Sequence, residues 1–242
     1  MRFAIIADIH ANLEALQTVL NDAKEQKATH YVCLGDVVGY NANPKECLEI
    51  IRASGMPCVK GNHDEYVSMD DHLEGFNPHA AEAVEWTRNQ LTPEDRIWLR
   101  DLKYNRLVAN FSVVHATLDA PKRWGYVFPQ DKFAAAASFT YQNTGVCFFG
   151  HTHVPVAFVR DSVVRGGSYS KFRVEAGRKY FINVGSVGQS RDGVPKATYV
   201  VYDLEEGSIE LRRLDYDMAT TQAKILAAGL PHRLADRLAE GR

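Results

Sequence analysis

The 242-residue sequence has only four cysteines, Cys33, Cys47, Cys58 and Cys147, and no two of them form a C-x-x-C pair. That excludes a thioredoxin-type redox motif. Three of the four lie in or beside apolar runs, which predicts buried thiols in a reducing compartment. Long apolar runs are also missing. The N-terminal "MRFAIIADIH" carries one basic residue, and its apolar run stops at Ala7. This is too short for a secretory signal or a transmembrane helix, so a soluble cytoplasmic protein without a membrane partner is expected. An excess of either charge is lacking too. Lys and Arg number 28 against 30 Asp and Glu, a net charge of -2, which leaves no basic surface for bulk nucleic-acid binding. There is no G-x-S-x-G elbow, no P-loop, no internal repeat and no low-complexity linker. A serine nucleophile and a phosphate-cradling glycine loop are thereby set aside.

What is present is a run of short apolar strands alternating with helices. "RFAIIAD", "HYVCLGD" and "PCVKGNHD" read as strands buried on both faces. Between them, "NLEALQTVLNDAKEQ" puts Leu13, Leu16, Val19, Leu20 and Ala23 on one helical face. "NPKECLEIIRAS" reads as a helix with proline in its first turn and Gly55 just past its end. A β-α-β-α-β order predicts parallel strands with right-handed crossovers. From about 66 to 102 the pattern is helical, as a cap-like segment. The remainder is strand-rich, with "RLVANFSVVHA", "VCFFGH", "VPVAFVR", "KYFINVG", "ATYVVYD" and "IELRRLD", and two helices close the chain. An α/β (α+β) domain spanning 1–242, with two β-rich halves and flanking helices, is the expected organisation.

Each of the early strands ends in residues able to bind metal. The ends read "DIH" (Asp8, His10), "GD" (Asp36) and "GNHD" (Asn62, His63, Asp64), and later "VVHA" (His115) and "GHTH" (His151, His153). In open α/β sheets, ligands bind beyond the carboxyl ends of the strands, so adjacent strands would bring these groups to one rim. Gly35, Gly61 and Gly150 leave room for sharp turns at the same ends. The other histidines, His30, His72, His79 and His232, stand in helical or loop contexts and receive no role. Two aspartates, one asparagine and four histidines, with His63 as a fifth, are too many ligands for one ion and suit two ions sharing a carboxylate. Mixed oxygen and nitrogen donors favour Mn, Fe, Zn or Ni over Ca or Mg. Two divalent ions with two anionic ligands leave a positive site that attracts phosphate. Metal-assisted phosphoester hydrolysis is the chemistry these residue types predict.

In this order, "DIH", "GD", "GNHD", "VHA" and "GHTH" resemble the five signature blocks of the calcineurin-like metallophosphoesterases. The resemblance implies a four-layer α-β-β-α sandwich of two mixed sheets. It implies one metal on Asp8, His10, Asp36 and His153, and another on Asp36, Asn62, His115 and His151, with Asp36 the bridge and a metal-bridging hydroxide the nucleophile. By the same resemblance His63 stays outside the metal shell and assists the transition state or leaving oxygen, and Asn12, which reads equally as a cap of the following helix, contacts phosphate. Where the protein-phosphatase branch has D-R-G after "GD", this sequence has Gly39, Tyr40 and Asn41. "GDVVGY", "INVGSVGQSRDG" and the tail "AAGLPHRLADRLAEG" look like a prokaryotic diadenosine-tetraphosphatase-like subgroup, which implies phosphodiester or nucleotide phosphoanhydride substrates. Trp124 and Tyr126 are candidate base-stacking residues, and Arg191 is a candidate phosphate contact. A phosphomonoesterase or protein phosphatase, and a catalytically silent scaffold of the same fold, are the alternatives.

Overall fold

The computed structural model describes residues 1–70, 73 and 77–242; His72 lies outside the described residues. The chain begins as the strand and helix pattern predicts, with β1 (Arg2–Ile6), α1 (Leu13–Glu25), β2 (His30–Cys33) and α2 (Pro44–Ser54). Three helices follow, α3 (Asn62–Ser68), α4 (Pro78–Gln90) and α5 (Pro93–Asp101), and then β3 (Asn105–Val108), β4 (Phe111–Val114) and α6 (Lys132–Tyr141). The second half holds β5 (Val146–Phe149), β6 (Val156–Arg160), β7 (Val164–Gly167), β8 (Lys171–Arg173), β9 (Lys179–Asn183), β10 (Ala197–Asp203) and β11 (Ser208–Leu214). Helices α7 (Met218–Ala227) and α8 (His232–Glu240) come last.

The strands form two mixed sheets, one in the order β2-β1-β10-β11-β8 and the other β3-β4-β5-β9-β6-β7. β1 runs parallel to β2 and antiparallel to β10, while β4, β5 and β9 run parallel to one another. Alternation along β1 explains the layers. Phe3, Ile5 and Ala7 face the second sheet and join Phe111, Val113, Phe148 and Ile182 in the core between the sheets. Ala4 and Ile6 face the other way, onto Leu16 and Val19 of α1 and Leu48 and Ile51 of α2. On the outer face of the second sheet, Phe149, Phe158 and Phe181 pack on Ala135 and Phe139 of α6. Helix, sheet, sheet, helix is therefore the order of layers, the four-layer α/β sandwich expected. Among the described residues, no helix is long and apolar enough to cross a membrane.

Two expected strands differ. "PCVKGNHD" contributes only single bridges, Cys58 to Cys33 and Val59 to Lys103, because the chain turns at Gly61 straight into α3. "RLVANFSVVHA" is not one strand but the β3–β4 hairpin, reversed at Ala109, which takes a left-handed φ of 48°. An Ala-Asn turn carries none of the Asn-Gly signal that usually marks a tight hairpin. The α3 and α6 helices and the short β7 and β8 strands have no counterpart among the elements read from the sequence.

The parallel strands β1, β2, β4, β5 and β9 bring the segments that follow them to one rim, and this is what positions the site. The inter-sheet core holds them there. Truncating Phe148, a fully buried residue whose ring packs edge-on against Phe111 at 5.5 Å, removes a central contact of that core. Phe148→Ala should cost about 3–5 kcal/mol in urea unfolding; a cost below about 1 kcal/mol would mean the sheets are not held together there.

Candidate metal centre

The rim residues sit on short turns whose backbones are zipped together. Asp8 N donates to the Gly35 carbonyl at 3.0 Å and His10 N to the Asp36 carbonyl at 2.9 Å. The turns are strained: Asp8, His10, Asp36, His151 and His153 all have left-handed φ, between 47° and 68°. Gly61 is required by close approach, since a Cβ there would lie 2.1 Å from Asp36 Oδ1.

The geometry gathers all seven expected metal-binding residues. Asp8, His10, Asp36 and His153 form one group of donor atoms and Asp36, His115 and His151 another, with the atoms of each group within 4.8 Å of one another. Asn62 joins the second group, its Oδ1 3.2 Å from His115 Nε2. Asp36 is common to both. Its Oδ2 lies 3.5 Å from His10 Nε2 and 3.4 Å from His115 Nε2, while its Oδ1 accepts the His63 backbone N–H at 2.8 Å. Asp8 Oδ1 is 3.5 Å from His153 Nε2, and its Oδ2 accepts the His151 backbone N–H at 3.0 Å.

The outer nitrogen of each imidazole shows how well this set fits metal ions. Nδ1 of His10, His115 and His153 faces the carbonyls of Val38, Leu34 and Gln189, at 3.2, 2.8 and 2.5 Å. His151 is reversed, its Nε2 2.9 Å from the Trp124 carbonyl. A carbonyl only accepts, so each of these nitrogens carries a proton, and wherever the ring is neutral the inward nitrogen keeps a lone pair. His10 Nε2 and His153 Nε2, both on neutral rings, then meet lone pair to lone pair at 3.2 Å, while His151 Nδ1 faces His115 Nε2 at the same distance. Paired lone pairs at that distance repel unless a cation lies between them. Buried oxygen and imidazole donors without thiolate match a borderline divalent ion.

The charges agree. Burial holds His10 and His153 well below the ordinary histidine range and His151 down to about 3, so all three stay neutral, as metal ligands must. Burial lifts the Asp8 carboxyl to about 7, although His115 opposes it. Burial also works against charge on Asp36 and His115, but the pair outweighs it: Asp36 is held well below its usual range, and His115 is raised to about 9. The carboxylates thus draw a positive charge into the pocket, a proton on His115 when nothing else supplies it.

His63 lies beside this centre and outside both donor groups. Its ring packs against Tyr40 at 4.4 Å and edge-on against His10 at 4.8 Å. Gly39 makes this possible, since a Cβ there would lie 2.5 Å from His63 Nδ1. That nitrogen is buried and has no hydrogen-bond partner among the described residues. Aromatic packing, not a carboxylate, orients the ring.

A cleft of about 280 Å³ opens over the centre, lined by His63, Tyr40, Trp124, Tyr126 and Arg191 among others. Tyr126 is 51% exposed and lies on the His151 ring at 4.3 Å, whereas Trp124 is tied through its indole N–H to Glu65. Arg191 donates to Gln189 Oε1 at 3.0 Å. Asn12 does not reach this cleft. Fully buried, it caps α1 by accepting from Ala15 N and donates to the Gly188 carbonyl, so both ends of its amide are bonded within the fold.

Asp64, a strand-end residue outside the expected ligand set, ties two rim loops together through its carboxylate. Oδ2 accepts Asp36 N at 2.8 Å and Gly61 N at 3.0 Å; Oδ1 accepts Val37 N at 2.9 Å. An acidic residue at the third position of a helix opened by "GN" is the signal that could have identified it. Asn183 does similar work, donating to the Gly150 carbonyl at 2.6 Å and to Thr152.

Asp64→Asn must turn an N–H₂ towards backbone N–H groups, so it should cost roughly 1–3 kcal/mol in chemical unfolding; unchanged stability would remove its clamping role. Asp36→Asn should lower bound metal from about two ions per chain to one or none by elemental analysis, and full double occupancy would show that the two groups do not share it.

The calcineurin-like phosphoesterase superfamily domain matches residues 1–207. The chain is 38% identical, over 99% of its length and 98% of the relative's, to the uncharacterized protein MJ0912 of Methanocaldococcus jannaschii. The crystal structure of a metallophosphoesterase from Sphaerobacter thermophilus, 36% identical, superposes with a TM-score of 0.87 over 100% of this chain and 99% of the other. That of the hypothetical protein PH1004 from Pyrococcus horikoshii OT3, 21% identical, shares the fold with a TM-score of 0.79 over 100% and 98%. The chain belongs to the calcineurin-like phosphoesterase superfamily and is a metal-dependent phosphoesterase.

Proposed function

We propose that the cleft hydrolyses phosphodiester or nucleotide phosphoanhydride bonds with two divalent ions. Asp8, His10, Asp36 and His153 would hold one, and Asp36, Asn62, His115 and His151 the other. The observation carrying this reading is that the two donor groups meet at one oxygen, Asp36 Oδ2. When bound, paired ions supply Lewis-acid stabilisation of phosphoryl oxygens and a water acidic enough to act near neutral pH. Mn, Fe, Zn and Ni suit the donors.

His63 acts from outside the metal shell. Burial lowers it to about 4, so the ring is neutral at physiological pH. With no acceptor at Nδ1, the proton belongs on Nε2, which donates a hydrogen bond to the scissile phosphate or the leaving oxygen. Tyr126 offers an open aromatic face on the His151 side, suited to a base or another flat leaving group. Arg191, within the same cleft, supplies positive charge. Gly39 and Tyr40 favour a diester or anhydride over a phosphoprotein. They leave no arginine on this loop to grip a terminal phosphate, and they orient His63 by packing.

With added Mn²⁺ the protein should turn over bis-p-nitrophenyl phosphate faster than p-nitrophenyl phosphate, and EDTA should abolish both activities. A preference for the monoester would favour the phosphomonoesterase alternative. His63→Gln should keep both metals but lower kcat for the diester by roughly 10²–10⁴. An unchanged kcat would leave His63 without a catalytic part.

A further inference from the structure

Beyond the metal centre the cleft continues into a second hollow of about 440 Å³, lined by Tyr40, Tyr126, Arg191, Arg233 and Arg237 among others. Its charge comes from two distant parts of the chain. Arg191 lies in the loop after β9, and Arg233 and Arg237 lie one turn apart on α8. The helix is pinned there by the apolar residues next to the arginines, where Leu234, Ala235 and Leu238 pack with Tyr40 and with Ala80 and Ala83 of α4. The Arg191 and Arg237 guanidinium carbons each stand 5.7 Å from the centre of the same Tyr40 ring. They are therefore no more than twice that distance apart. Tyr40 in turn lies 4.6 Å from His10 and 4.4 Å from His63, which puts the pair directly beside the reacting centre.

Among the described residues, neither guanidinium is paired with a side-chain carboxylate. Arg191 donates to the Gln189 amide and the Tyr40 hydroxyl, and Arg237 donates through Nε to the main-chain oxygen of Arg242. The acid that acts on Arg237, Glu240, is bonded to Arg233. Burial and the neighbouring Arg191 already pull Arg237 down to about 10. Two partly buried like charges lining one hollow repel each other, and an anion bound in that hollow relieves the repulsion.

We infer that Arg191 and Arg237, which line one hollow beside Tyr40, form a subsite for a second phosphate group of the substrate, next to the phosphate at the metals. This rests on the reading of the metal centre as the hydrolytic site. Within the diester and anhydride class it points to molecules carrying at least two phosphates in sequence, such as nucleoside polyphosphates and dinucleoside polyphosphates, as the preferred substrates. Hydrogen-bonding guanidinium forks select such a group by geometry as well as by charge.

The test compares two ligands that differ by one phosphate, α,β-methylene adenosine diphosphate and adenosine monophosphate, titrated calorimetrically into the Mn²⁺-loaded protein. The wild type should bind the diphosphate analogue about tenfold or more tightly. In Arg237→Ala that preference should shrink to within about threefold, and Arg237→Gln, which keeps the packed stem, should match it. Equal binding of the two ligands by the wild type, or a full preference in both variants, would overturn the subsite. Turnover of bis-p-nitrophenyl phosphate by the same preparations separates the two readings. A metal-loaded wild type inert to it counts against the hydrolytic reading, whereas an active protein without the diphosphate preference counts against the subsite alone.

Discussion

The carboxylate of Asp64 is the contact on which the centre depends. It accepts backbone N–H groups of Asp36, Val37 and Gly61, and so joins the turn after β2 to the turn that opens α3. Those two turns carry Asp36, Asn62 and His63. Buried and pushed up to about 7 by burial, Asp64 keeps its position because the hydrogen bonds it accepts replace the water it has lost. The turn that carries Asp8 and His10 is zipped to the first of these turns by backbone hydrogen bonds. His151 reaches Asp8 through its own N–H. The ligand cage is thus a chain of short backbone contacts, and its side chains have little freedom to search for one another.

Much of this was legible in the sequence because it follows from strand ends. β1 and β2 run parallel in one sheet and β4 and β5 in the other, so "DIH" leaves beside "GD" and "VHA" beside "GHTH", and the packed sheets bring the two pairs together. The apolar alternation of "RFAIIAD" anticipates both the inter-sheet core and the helix-facing core. The donor residues stood in the sequence as a set, and the structure gathers them into two groups that share Asp36.

What was not legible depends on partners remote in sequence. Asn12 reads equally as a helix cap or a phosphate contact. Its partners, Gly188 and Thr221, lie 176 and 209 residues away and decide for the cap. The orientation of His63 is hidden for the same reason, since it comes from Tyr40 and Gly39 on another loop and not from an acid nearby. The hairpin at Ala109 and the α6 helix carry weak local signals, an Ala-Asn turn and an alanine-rich run whose apolar face appears only against β9. Arg237 sits in a helix whose arginines look like ordinary surface charge until α8 is docked against Tyr40.

The left-handed turns have a consequence for how this sequence can vary. Five residues of the centre that are not glycine hold a backbone conformation costing about 1–2 kcal/mol each. Together that is of the same order as the net stability of a typical domain, roughly 5–15 kcal/mol. Glycine would relieve the strain but remove the ligand, so the cost stays with the chemistry. The two sheets must therefore overstabilise the molecule enough to hold the turns closed. Damage to the packing far from the rim then draws on a small reserve, and the core of this protein is constrained by its metal site even where no core residue touches it.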